Sequence, residues 1–119
     1  MIATPVEVVQ KVWGQEEWYV NEEYCFKILR LKPGFQSSLH YHRQKKETFI
    51  VRYGACSLEV HKKDRMQLHK LATGDSITLQ PGQPHRFWVE TQHEECVIYE
   101  VSTHHSDDDV VRLEESRRI

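Results

Sequence analysis

No stretch of this 119-residue chain comes near the ~18 consecutive apolar residues that a membrane-spanning helix requires. The N-terminus carries polar and acidic residues where a secretion signal needs an unbroken apolar core, so a soluble, cytoplasmic protein is expected. An excess of charge of one sign is also missing. The 16 basic and 18 acidic residues are mixed along the chain for a net charge of -2, which excludes a surface built for nucleic acid or for an anionic membrane. Cysteine is sparse and odd in number. Cys25, Cys56 and Cys96 each sit among apolar or small neighbours, a pattern of buried free thiols in a reducing compartment and not of a disulfide framework. Finally, no segment repeats hydrophobic residues at helical spacing for three turns, and the length suits one core but not two.

What the chain has instead is a series of short apolar runs from Tyr24 to about Ser102, punctuated by turn residues. Strands are expected near 24 to 32, 38 to 42, 47 to 53, 56 to 61, 66 to 71, 76 to 80, 85 to 91 and 95 to 102. The separators, among them Lys32-Pro33-Gly34, Gly54, Gly74-Asp75 and Pro81-Gly82, have established turn chemistry. Eight short strands at regular spacing predict an all-β, single-domain jelly-roll barrel whose interior can hold a small ligand. Residues 1–23 read as an irregular N-terminal segment, 24–102 as the barrel, and 103–119 as a polar tail in which Val110 to Ser116 is the one short helix suggested.

Chemistry concentrates between Gly34 and Gly54, in the stretch GFQSSLHYHRQKKETFIVRYG. On an extended strand His40 and His42 share a face, their backbones about 7 Å apart, so both imidazoles can reach one cation. Glu47 opens the next apolar run and adds an oxygen. Nitrogen and oxygen donors together suit Mn, Zn, Fe, Co or Ni better than Mg or Ca. Downstream, GDSITLQPGQPH ends on His85, the natural fourth ligand. Four ligands leave about two octahedral positions open, which catalysis or substrate chelation requires.

Gly34, His40, His42, Glu47 and Gly54, followed by Gly74, Gly82 and His85, resemble the two signature motifs of the cupin superfamily. The first matches at every signature position. In the second, Pro81 falls one place late and Val89 stands where a polar residue is frequent. Trp13-Gly14, the strand of Lys27 running into Lys32-Pro33-Gly34, the turn Pro81-Gly82-Gln83-Pro84-His85-Arg86, and the ending Glu100-Val101 with Asp108 to Glu114 are similar to the cupin domain of type II mannose-6-phosphate isomerases. That family commonly has glutamine where this chain has His40. The resemblance implies a cupin double-stranded β-helix, one divalent transition metal, and aldose-ketose isomerisation of a sugar or sugar phosphate through a metal-stabilised enediolate. It also implies a homodimer, for which Trp13, Trp18 and Tyr19 are the expected interface.

For the proton-transfer group the candidates are Glu100 and Lys27. Glu100 shares a strand with Cys96 and Ile98 on one face and Val97, Tyr99 and Val101 on the other, so it is expected to be at least half buried, where a carboxylate can serve as general base or form an ion pair with Lys27 or Arg86. Lys27 lies in an apolar strand and either faces the cavity or points outward. For holding an anionic group the candidates are Arg86 and, near the mouth, Lys27, Arg30 or Lys45, although strand alternation turns Arg86 away from His85. Phe49 and Phe87 are expected to line the cavity. His104, His105 and the aspartates after them read as solvated surface, as do His61, His69 and His93. Two alternatives share the ligand set: an iron-dependent dioxygenase, and a non-catalytic module that binds metal and carbohydrate. Metal-free sugar-nucleotide epimerases rank below both, since they have no need of His40 and His42.

Overall fold

Alternation decides the architecture, and Tyr24–Leu31 shows how: Cys25, Lys27, Leu29 and Leu31 are buried while the residues between them are not, the two-residue period of a strand with one face on a core. The computed structural model describes residues 4–119 and contains thirteen strand segments among them. They are β1 (Glu7–Lys11), β2 (Gly14–Asn21), β3 (Tyr24–Leu31), β4 (Phe35–Gln36), β5 (Leu39–His42), β6 (Glu47–Tyr53), β7 (Ala55–Lys62), β8 (Arg65–Ala72), β9 (Ser76–Leu79), β10 (His85–Trp88), β11 (Cys96–Thr103), β12 (Val110–Glu114) and β13 (Arg117–Arg118). Among the described residues no helix is long and apolar enough to cross a membrane.

Two antiparallel sheets face each other. The first has six strands in the order β1-β2-β3-β11-β6-β9. The second has seven and is organised on β10, which pairs with β4, β5 and β7, while β12 lies beside β5, β13 beside β4, and β8 beside β7. Between the sheets Leu29, Val51, Leu58, Phe87 and Ile98 form the core, each burial contributing about 1.5–3 kcal/mol. This is the jelly-roll barrel expected from the strand spacing. All three cysteines are free and buried.

Three expectations are corrected. Within the segment read as irregular, residues 7–21 form a regular hairpin, β1 against β2, that extends the first sheet; residues 1–3 lie outside the described residues. Its strands alternate poorly because a bulge at Tyr19 shifts the register against β3 between Trp18 and Val20. The suggested helix at Val110 is strand β12, preceded by a single 3-10 turn at Asp107–Asp109. The polar tail is therefore part of the barrel, for β12 pairs with β5 and β13 with β4. Lastly, Trp13 is a core residue packed edge-on against Phe87 at 4.9 Å, and Trp18 faces the cavity, so neither provides an outward dimer surface.

Gly14 and Gly82 separate two costs of adding a side chain. Both have positive φ, +147° and +78°, but a Cβ on Gly14 would lie 1.8 Å from the Arg30 carbonyl oxygen, whereas nothing lies within 4 Å of one on Gly82. Gly82→Ala should lower stability by only the backbone term, about 1–2 kcal/mol. Gly14→Ala, which must displace β3, should cost well over about 3 kcal/mol. Paired thermal melts with a common denaturant series would check the difference; equal shifts would contradict it.

Candidate metal centre

His40 and His42 share the inward face of β5, as alternation requires, with ring centroids 5.1 Å apart. His85 begins β10, and its backbone is the cross-strand partner of His40, which brings those rings to 4.6 Å. One nitrogen from each of the three lies within 4.8 Å of the others. An ion bonded to all three at about 2.1 Å would hold them roughly 3–4 Å apart, so a small contraction suffices. Glu47 comes from the opposite sheet, not from a neighbouring strand: β6 lies in the first sheet and β5 in the second. Its Oε2 is 3.0 Å from His42 Nε2 and 3.7 Å from His85 Nε2.

The hydrogen bonds behind the rings point their free nitrogens inward. His85 Nδ1–H donates to the Gln83 carbonyl at 2.9 Å, leaving Nε2 buried without a hydrogen-bond partner. His40 Nδ1 is engaged by Ser38, at 3.1 Å to its carbonyl and 2.9 Å to its hydroxyl. Fixing one nitrogen this way frees the other as a ligand. The turn before β10 is tied to the site as well, since Gly82 N–H donates to the His42 carbonyl at 2.7 Å. The orphaned His85 Nε2, buried among two more imidazoles and a carboxylate, fits a divalent transition metal and is costly to leave unpaired otherwise.

Electrostatics agree with that fit. Burial pushes the His40 imidazole down to about 3, helped by the adjacent His85 and His42 rings, and burial likewise lowers His85, so both present lone pairs. Burial works to raise the Glu47 carboxyl, but its hydrogen bond to His42 and the charge of Lys45 outweigh this and hold it well below the usual carboxylate range.

Beyond the triad the cavity has a volume of about 660 Å³. Phe49 and Phe87 line it, as the strand parity predicts, and so do Glu100 and Lys27, the latter turned to the cavity and not outward. Glu100 is 4% exposed and its ion-pair partner is Lys45, at 2.7 Å, rather than Lys27 or Arg86. Arg86 does point away from His85, and it serves structure by binding Glu114 across to β12. Arg30 is on the outer face with Glu17.

Lys45, a candidate for holding an anionic group, and His105, read as solvated surface, both line the cavity. Lys45 is 3% exposed because Asp109 caps its loop, accepting the N–H groups of Gln44 and Lys45 at 2.8 and 3.0 Å. His105, assigned to solvated surface, packs edge-on to Trp18 at 5.1 Å and accepts from Lys45 Nζ through Nδ1 at 3.0 Å, while Nε2–H donates to Asp107. Burial and the charges of Lys27 and Lys45 push its imidazole down to about 4. Asn21 holds the His105 backbone with two hydrogen bonds across 84 positions of sequence, a partnership no local pattern announces.

Comparison with known proteins follows the geometry. The Cupin domain family matches residues 27–102. No curated protein matches. Among solved structures, the capsular polysaccharide assembling protein CapF from Staphylococcus aureus superposes with a TM-score of 0.80 at 16% identity over 95% of this chain and 33% of that one. Oxalate decarboxylase from Bacillus subtilis gives 0.79 at 19% identity, over 95% of this chain and 33% of that one. Vicilin from Corylus avellana gives 0.73 at 16%, over 91% and 34%. The chain thus spans about a third of the length of each, and at these identities the likeness is one of fold.

Protein dialysed against chelator and then against Mn, Zn, Fe, Co or Ni should bind about one ion per chain by elemental analysis. His85→Ala and His42→Ala should each weaken binding by tenfold or more, while His61→Ala should leave it unchanged. Retention of full occupancy in the His85 variant would remove the centre.

Proposed function

The chain belongs to the cupin family, and on that premise we propose that it is a metal-dependent isomerase interconverting an aldose and a ketose, a sugar or sugar phosphate. The observation that carries this reading is that one cavity is lined both by His40 and His42 of the imidazole triad and by a carboxylate, Glu100, that is not part of the triad. His40, His42, His85 and Glu47 would hold the ion. A divalent cation there supplies a Lewis acid for a substrate carbonyl and its neighbouring hydroxyl and stabilises negative charge developing on their oxygens.

The remaining steps fall to side chains of the protein. Glu100 takes the proton from the hydroxyl-bearing carbon next to the carbonyl and returns it to the former carbonyl carbon, while the hydroxyl proton passes to the former carbonyl oxygen. Lys45 holds that carboxylate in place at 2.7 Å and is itself kept ionised: burial opposes its charge, but Glu100 and Glu47 outweigh burial and raise it above the usual lysine value. Lys27 is the second candidate for carrying the proton, on the strand position paired with Glu100. Phe49 and Phe87 wall the cavity and limit water. The similarity of the flanking segments to type II mannose-6-phosphate isomerases supports sugar isomerisation over other chemistries available to the same ligands.

Purified protein loaded with each metal should interconvert aldohexose and ketohexose, or their phosphates, and Glu100→Gln should lower kcat by about 10²–10⁴ with metal content unchanged. Oxygen uptake with Fe(II) and no isomerisation would instead favour a dioxygenase, and ligand binding without turnover a binding module.

We also propose a homodimer. With Trp13 and Trp18 turned inward, the exposed valines beside and within edge strand β1, Val6, Val8 and Val12, offer apolar surface at that end, 79%, 47% and 49% exposed. Sedimentation at micromolar concentration should give twice the chain mass, and Val8→Lys should shift it toward the monomer; a monomeric wild type would refute the assignment.

A further inference from the structure

Lys27 is 1% exposed, yet its ammonium has no close protein anion. Its carboxylate partner, Glu16 Oε1, is 3.7 Å away and already accepts the Trp18 indole N–H at 3.0 Å. The face of Trp18 covers Nζ at 3.8 Å from the ring centroid, which stabilises the cation without using its hydrogen-bond donors. The neighbouring cation is not in the same condition, because Lys45 is bound by Glu100 at 2.7 Å. A buried ammonium facing a cavity with donors to spare is completed by an anion that enters with a ligand.

Register sets the distance of that anion from the triad. Trp18, Lys27, Glu100 and Phe49 form one row of cross-strand partners through β2, β3, β11 and β6. Glu47 is on the same face of β6, two residues before Phe49. Lys27 and Glu47 are thus two strands apart, roughly 10 Å across the sheet before either side chain reaches inward. A molecule of five or six carbons spans such a gap, with one end at the triad and an anionic end at Lys27.

Charge selects the anion. Inside the cavity two ammonium groups, Lys27 and Lys45, face three carboxylates, Glu16, Glu47 and Glu100, a deficit of one. A divalent cation turns the deficit into a surplus of one, since ligating imidazoles are neutral. At the rim Glu7, Asp107 and Glu115 outnumber Lys11 and Arg112, so no reserve of positive charge waits there. Arg86 is committed to Glu114 and Arg30 to Glu17 on the outer face, and the arginine that lines the cavity, Arg112, is an exposed rim residue opposite His40 on the triad's sheet and not on the sheet of Lys27. A dianionic phosphate ordinarily takes an arginine fork or several cations, whereas a single carboxylate matches one ammonium.

We infer that Lys27, seated on Trp18, is the anion-recognition residue of the cavity, and that its ligand is a sugar acid bearing one carboxylate. This rests on the metal-isomerase reading for the other end of the molecule, and it makes Lys27 a binding residue and not a proton carrier. Titration calorimetry at low salt on the Mn-loaded protein, with glucuronate, fructose 6-phosphate and fructose as probes, tests it. Glucuronate should bind most tightly, and Lys27→Met should weaken it about ten- to hundredfold while leaving fructose unchanged; Lys27→Arg should retain most of the affinity. Tighter binding of fructose 6-phosphate, no binding of glucuronate, or an unaltered glucuronate affinity in a folded Lys27→Met variant would overturn the inference. Should that variant not fold, the probe ranking on the wild type decides alone. Turnover is scored separately: glucuronate bound at Lys27 without isomerisation sinks the isomerase and leaves the anion site standing.

Discussion

Four ionisable side chains, Lys27, Lys45, Glu47 and Glu100, occupy the interior of a small barrel at 1–4% exposure, and their mutual neutralisation is the constraint on which the rest depends. Each would cost several kcal/mol to bury alone. The Lys45–Glu100 pair meets that cost for two of them, and Lys45 also lowers the cost for Glu47. Glu47 is completed by His42, and Lys27 by Trp18 in part. Replacing these groups with apolar residues would make a drier and more easily folded barrel. Their presence in the core is therefore best explained by chemistry at the cavity.

The polar interior also explains the shape of the chain's two ends. A barrel of β3 to β11 alone would leave Lys45 and Lys27 open to water. The hairpin β1–β2 contributes Trp18 to cover Lys27, and the C-terminal segment contributes His105 and Asp109, which seat Lys45 from two directions. Strand β12 then adds to β5, the strand that carries His40 and His42, and protects what would otherwise be a free edge beside the site. The ends work as walls of the cavity and carry no separate core.

Much of this was legible in the residues. The strands between Tyr24 and Thr103 follow from apolar alternation between turn residues, because a buried face with period two has few other solutions. The face shared by His40 and His42, the inward aspect of Phe49, and the outward turn of Arg86 follow from the same parity, whereas Glu100, on a strand apolar on both faces, is legible only as buried. The hairpin was hidden by the bulge at Tyr19, which breaks the parity of β2 halfway along. The strand β12 was hidden because it lies at an edge, where none of its residues is fully buried and the burial signal is weak. His105 was hidden for a different reason: its neighbours in sequence are exposed, and what buries it is Asn21 and Trp18, more than 80 positions away.

By itself, then, the sequence determined the class of fold and the candidate metal donors, since both rest on local spacing: one residue between two histidines on a strand, and turns that begin and end short apolar runs. Only the tertiary structure decided which sheet each donor comes from, which lysine is satisfied and which is not, and that the tail closes the cavity. Those outcomes depend on registers between strands far apart in sequence, and on a balance of buried charges that exists only once the two sheets face each other.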